Sequence, residues 1–190
     1  MDRIAEELRR WAPPPKRVRY ARVGQAGGIP LHRVIIEEVW GALEATEEGL
    51  CVRRTAHDVT AEPRLIEDAR VAYTADGLVD LGVYGPDGQL SLWDPPQVVL
   101  PAEPRDGFTL SATHQRGDSS SERDLQVLTC AEHPDCLVSV AEVRRPNGVL
   151  VLRTHFGDGV GFGGYEALVV NPDRPPIHMW TEALTVTPRS

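Results

Sequence analysis

The sequence predicts a mainly β protein, in which a short N-terminal helix precedes a single antiparallel curved sheet, half-barrel or sandwich-like. Short segments rich in β-branched and aromatic residues recur at a spacing of roughly 8–12 residues, which is typical of such sheets. The segments are separated by turns built from 17 glycines and 16 prolines. A length of 190 residues suits one core. We therefore expect one domain over residues 1–190, with the helix in 1–12 and the β body over 16–187.

The clearest helical signal runs from Asp2 to Trp11. Asp2 can cap the helix, and Ile4, Leu8 and Trp11 recur at the spacing of one helical face. Three consecutive prolines starting at Pro13 end the segment, because proline lacks the backbone donor that a helix needs. We expect this helix to lean on the β body or to project from it.

The remaining chain reads as a succession of strands separated by turns. Strands are predicted over residues 16–23, 31–43, 50–58, 69–74, 78–84, 89–93, 108–115, 125–130, 136–144, 149–156, 165–170 and 177–186, with a short apolar stub at 98–100. The second segment stays open, since residues 34–43 also fit a short helix. Residues 94–96 are expected to break the ladder of hydrogen bonds through their two prolines, and residues 116–122 to form a polar tip. The glycines of residues 157–164 predict a β-bulge or corner.

Charge and hydropathy exclude several classes of partner. The formal net charge is −8 and there is no dense basic run, so nucleic acid is not an expected partner. No apolar stretch approaches the ~20 residues of a membrane-spanning helix, and no cofactor motif stands out. The N-terminus lacks the apolar core of a secretion signal, which predicts a cytoplasmic protein as written, or a cell-envelope protein if a leader has been removed.

Cys130, His133 and Cys136 form a C-x2-H-x2-C spacing that three interpretations fit. Thiolate and imidazole ligands suit zinc, with His155 or Cys51 as the nearest fourth ligand. In an oxidising compartment the two cysteines could instead form a disulfide. The favoured interpretation is a pair of reduced cysteines that pack as small apolar side chains, without a metal.

The hypothesis about function is based on the aromatic residues. Most fall in predicted strands, where core packing is their ordinary role. If some line a concave sheet face, Trp40, Trp93, Phe162 and Trp180 are the candidates to contact a ligand. The leading hypothesis is a non-catalytic binding module that holds a small apolar ligand or a peptide segment.

Several motifs resemble the end of small bacterial β proteins, many of them lipoproteins of unassigned function. They are Asp135-Cys136-Leu137-Val138, the turn Pro146-Asn147-Gly148, and the segment from Phe156 to Phe162. The segments 73–82 and 93–96 resemble the same proteins, so the resemblance covers about residues 69–164. It implies a curved antiparallel sheet, part barrel, able to shelter an apolar ligand or to pair with another protein. It implies no catalytic residues.

Two alternative functions remain open at the level of sequence. In the first, the protein is an assembly subunit that uses the face of Ile4, Leu8 and Trp11, or an edge strand, to bind a partner protein. In the second, it is an enzyme of unrecognised type that uses His155 and Asp158 near the glycine-rich segment. The sequence does not set the oligomeric state.

Overall fold

A computed structural model describes residues 6–130 and 133–189, which contain one helix and 14 strands. In chain order these are α1 (Glu6–Trp11), β1 (Pro15–Ala26), β2 (Ile29–Pro30), β3 (Val34–Trp40), β4 (Glu44–Thr46), β5 (Gly49–Asp58), β6 (Arg64–Tyr73), β7 (Gly77–Tyr84), β8 (Leu90–Pro101), β9 (Thr109–Arg116), β10 (Ser119–Cys130), β11 (His133–Arg145), β12 (Gly148–Gly157), β13 (Gly161–Asn171) and β14 (Arg174–Pro188).

The sheet closes into an antiparallel barrel of twelve strands. From β5 to β14 each strand pairs with the next in sequence, β3 joins β5 to β1, and the short strands β2 and β4 lie beside β1 and β5. β14 then pairs with β1 from Pro15↔Pro188 to Ala26↔Ile177. The half-barrel or sandwich-like sheet expected from the sequence is therefore wrong. Closure satisfies the backbone groups that two long edge strands would leave unpaired.

Among the neighbouring strands of the barrel, β8 and β9 have the fewest paired positions. The two strands share one paired position, Asp94↔Gln115. Side chains of the following strands supply further bonds to β8: Arg123 donates to the carbonyl of Val98, and the Ser139 hydroxyl donates to the carbonyl of Val99 at 2.6 Å. The barrel is thus held at this junction by side chains as well as by backbone.

Helix α1 closes one end of the barrel. Leu8 and Trp11 are buried against inward-facing residues of β5, β6, β7, β8, β10, β11 and β12. Six residues cannot form a stable helix alone, so this packing holds α1 in place. Asp2 and Ile4, the start of the predicted helix, lie outside the described residues. No helix in residues 6–130 or 133–189 is long and apolar enough to cross a membrane.

Four local expectations can be compared with the structure. Residues 34–40 form strand β3, which decides the open choice at that segment. β8 spans residues 94–96 and contains a cis Asp94–Pro95 bond. The expected break in the ladder is present toward β7, where pairing passes from Gly82↔Leu92 to Asp80↔Gln97 and residues 93–96 have no partner on that strand. β10 begins at Ser119, so the expected polar tip at 116–122 shortens to a turn. The expected glycine bulge is present as a register shift between His155 and Phe156 opposite β13.

Candidate functional site

The interior of the barrel contains a cavity of about 370 Å³. Alternation along each strand brings one residue in two into this space. Its apolar wall includes Trp40, Phe156 and Phe162. Three carboxylates and three guanidinium groups line it as well: Glu38, Glu67, Asp80, Arg22, Arg54 and Arg123. A charged interior of this kind needs internal partners, since burial without them is costly.

Arg54 is the centre of an internal ion-pair network. Its guanidinium lies 3.3 Å from Glu38 Oε1 and 2.7 Å from Glu67 Oε1. The Tyr20 hydroxyl donates to Glu38 Oε1 at 3.1 Å. Burial opposes the charge of Arg54, but Glu38 and Glu67 outweigh it and raise the pKa of Arg54. Burial, together with the Glu38 carboxylate, raises the pKa of Tyr20, so its phenol remains a donor.

Asp80 and Arg123 face the cavity with fewer partners. The described hydrogen bond of the Asp80 carboxylate is to the backbone N–H of Gly82, at 3.0 Å. Arg123, only 7% exposed, donates to the carbonyl of Val98. Burial raises the pKa of Asp80 to about 6 and lowers the pKa of Arg123 to about 10, although the two groups attract each other. These two side chains therefore retain hydrogen-bonding capacity toward the cavity.

Two of the four predicted contact residues line this cavity. Trp40, on β3, packs against the cluster that contains α1, and its indole N–H is buried with no hydrogen-bond partner among the described residues. Phe162, on β13, lies against Tyr20 with ring centroids 6.2 Å apart. Both belong to the interior wall of the cavity.

Trp93 and Trp180 lie elsewhere. Trp93 borders a separate groove of about 880 Å³ lined by β7, β8 and β9, and the guanidinium of Arg116 lies 4.3 Å from its ring centroid. Trp180 is aligned with Glu166 on the neighbouring strand, on the face opposite to Tyr165, and therefore points outward. Its ring lies 5.2 Å from that of His178. The four candidates do not form one site.

The oxidation state of the two neighbouring cysteines differs from the one expected. Cys130 and Cys136 form a disulfide, with Cα atoms 5.4 Å apart, so the expectation of two reduced cysteines is wrong. The described His133 side chain is exposed. Instead His155 is the imidazole whose ring nitrogen lies within 4.8 Å of both sulfurs. Cys51 is free and buried on β5.

His155 and Asp158, the residues of the enzyme alternative, have separate surroundings. The Asp158 carboxylate accepts from Arg10 Nε at 2.7 Å and from a second nitrogen of the same guanidinium. The hydrogen bond and charge of Arg10 lower the pKa of Asp158. The backbone N–H of Gly159 also donates to the carbonyl of Arg10, at 2.8 Å. Asp158 thus anchors α1 to the barrel.

Sequence reasoning missed the buried charges, although it contained a signal for them. Glu38 stands between Ile36 and Trp40 at the spacing of one strand face, and Arg54 stands between Val52 and Ala56 in the same way. A charged residue within an apolar face of period two indicates an internal ion pair.

The chain shows little similarity to known proteins. No protein-family model matches the chain, and no curated protein does. One solved structure, of a "putative lipoprotein" from Parabacteroides distasonis ATCC 8503, is 10% identical and aligns with a TM-score of 0.39. The alignment covers 92% of this chain and 97% of that one.

Proposed function

We propose that the protein is a non-catalytic binding module that holds one small amphipathic molecule inside the barrel. The observation that carries the proposal is the pair Asp80 and Arg123, buried at the cavity with described hydrogen bonds only to backbone groups. Buried charged groups that are incompletely bonded at a cavity are characteristic of binding sites. A ligand would complete their hydrogen bonds.

The volume and the wall of the cavity support a small molecule. About 370 Å³ lies near the lower end of the range for small-molecule sites. Trp40 and Phe162 offer apolar surface to the body of a ligand. The proposed ligand therefore combines an apolar or aromatic body with a compact polar group.

The balance of charge favours an uncharged polar group. The three carboxylates at the wall are matched by three guanidinium groups. An ionic ligand would leave one buried charge without compensation, which is unfavourable in a poorly hydrated space. Hydroxyl or amide groups can both accept from Arg123 and donate to Asp80, so they fit this pair.

The neutral fluorophore N-phenyl-1-naphthylamine tests the proposal, because it combines an aromatic body with one N–H group. We expect saturable binding of one probe per chain. Ala141→Leu fills space at the cavity wall, where Ala141 is 2% exposed, and should weaken binding at least tenfold. Ala42→Leu, at an exposed loop position, is the matched control and should bind like the unaltered protein.

Native mass spectrometry of the protein from its own host tests the same proposal without a chosen probe. A retained small molecule that Ala141→Leu loses and Ala42→Leu keeps would support the interior site. Equal probe binding by both variants would overturn it, as would the absence of both probe binding and a retained molecule. Circular dichroism of each variant establishes that the barrel is folded.

A further inference from the structure

Cys130, Cys136 and His155 form a cluster of soft ligands on three adjacent strands, β10, β11 and β12. The sulfur atoms and a ring nitrogen of His155 all lie within 4.8 Å of one another. Cys136 is paired with Gly157, and Val138 with His155, so Cys136 and His155 are diagonal neighbours on one face. Leu137 and Phe156 face the core, which places this cluster on the outside of the barrel.

Glycines flank this cluster. Gly157 lies opposite Cys136 and next to the side chain of Val160, and Gly163 lies beside His155. All three ligand residues are partly exposed, so an ion from solvent can reach them. Asp158 is close in sequence, but its carboxylate is bound by Arg10. The cluster thus offers two sulfurs and one imidazole.

We propose that reduction of the Cys130–Cys136 disulfide creates a zinc site formed by Cys130, Cys136 and His155, with water as the fourth ligand. A dithiol reductant supplies two electrons to the S–S bond and is itself oxidised to a disulfide, while each cysteine sulfur gains a proton. Binding of Zn²⁺ then releases these two protons, because thiolates are the ligands. In the oxidised protein the sulfurs are bonded to each other and cannot bind the metal in this way.

The ligand types and their separation favour zinc over other common divalent ions. Thiolate and imidazole ligands select zinc, whereas calcium and magnesium take oxygen ligands. With Zn–S bonds of about 2.3 Å, two sulfurs in a tetrahedral site lie about 3.8 Å apart. The bonded sulfurs must move apart to reach this separation after reduction, which rotation of the two cysteine side chains can provide, since their Cα atoms are 5.4 Å apart. The His155 ring nitrogen already lies within 4.8 Å of both sulfurs.

Cobalt(II) binding by the full chain tests this proposal, because tetrahedral thiolate sites give cobalt intense visible bands and a thiolate charge-transfer band. The protein is reduced with a phosphine, and thiol titration of the unfolded chain verifies that three thiols are present. We expect one equivalent of cobalt to bind the reduced protein and zinc to displace it. The oxidised protein should show no thiolate band.

His155→Ala and Cys130→Ser are expected to weaken cobalt and zinc binding at least tenfold. His133→Ala is the matched control, since His133 is the histidine that the sequence spacing favours but it lies outside the cluster. Cys51→Ser controls for the remaining thiol. Both control variants should bind like the unaltered chain.

Four results would overturn the proposal: a disulfide that resists the phosphine in the folded protein, no cobalt binding after reduction, equal binding in the oxidised state, or equal losses from His133→Ala and His155→Ala. Circular dichroism of each variant separates loss of the site from loss of the fold. The cavity variants of the proposed function leave this site unchanged, so the two proposals fail independently.

Discussion

Asp80 couples the stability of the barrel to pH. In the folded protein burial raises its pKa to about 6, whereas its unperturbed value is 3.8. Because the folded-state pKa is the higher one, the contribution of Asp80 to stability is fully present below pH 3.8. It is lost as pH rises through 6.

Asp80→Asn isolates this contribution, because asparagine keeps the shape of the side chain and does not ionise. We expect the variant to gain stability over the unaltered protein as pH rises, by up to about 3 kcal/mol at pH 8. Urea unfolding from pH 3 to pH 8 measures the difference. Below pH 3.8 both side chains are neutral, so similar free energies there serve as the internal control. A difference that does not vary with pH would contradict the assignment.

Arg54 pairs with two carboxylates, the buried Glu38 and the partly exposed Glu67. Arg54→Leu leaves Glu38 and Glu67 without their guanidinium, and we expect a loss of about 3 kcal/mol in the free energy of unfolding. Arg153→Leu is the control, since Arg153 lies on the outer face and pairs with Glu166, whose side chain is 33% exposed. The control should lose less than about 1 kcal/mol by urea unfolding. Equal losses in the two variants would show that the internal network stabilises the barrel no more than an ion pair on the outer face does.

Part of the site could be predicted from single residues, and part could not. Trp40 and Phe162 were candidates and lie at the cavity, because bulky residues on a strand face tend to point into a core. Trp93 and Trp180 satisfy the same pattern but face other surroundings. Which face of a strand points inward depends on register, and register is set by partner strands that are distant in sequence.

At the scale of elements, α1 is part of the core. Leu8→Ala should lower the free energy of unfolding by about 2–4 kcal/mol, because Leu8 is completely buried among residues from around the barrel. Glu7→Ala on the exposed side of the helix is the control and should change stability by less than about 0.5 kcal/mol. Urea unfolding measures both. A small effect of Leu8→Ala would mean that α1 is detached in solution.

Some strand boundaries are determined by pairing with other strands and not by the local sequence. The sequence places a break at residues 94–96, and the ladder between β7 and β8 is interrupted there, but the strand itself continues and Asp94 pairs with Gln115 on β9. It also assigns 116–122 to a polar tip, although Ser120 and Ser121 pair with β9. Turn residues such as those at 146–148 decide structure locally and were correctly predicted, whereas these segments depend on their partners.

At the scale of the whole molecule, closure was the feature that sequence could not predict. An open curved sheet and a closed barrel have the same alternation and the same turns. The difference lies in whether the first strand meets the last, and β1 and β14 are separated by almost the entire chain. Neither strand carries a local signal for this contact.

A cross-link between β1 and β14 tests closure directly. Arg19 and Thr185 are aligned partners and both are exposed, so cysteines at these positions fall within the separation that a disulfide spans. We expect Arg19→Cys with Thr185→Cys to form an intramolecular disulfide under mild oxidation, seen by non-reducing gel mobility and by mass spectrometry of the linked peptides. The pair Arg19→Cys with Thr113→Cys, whose second position lies on β9, should remain unlinked. An open half-barrel holds its first and last strands apart, so it predicts that neither pair cross-links, and this result would remove the interior cavity along with the closed barrel.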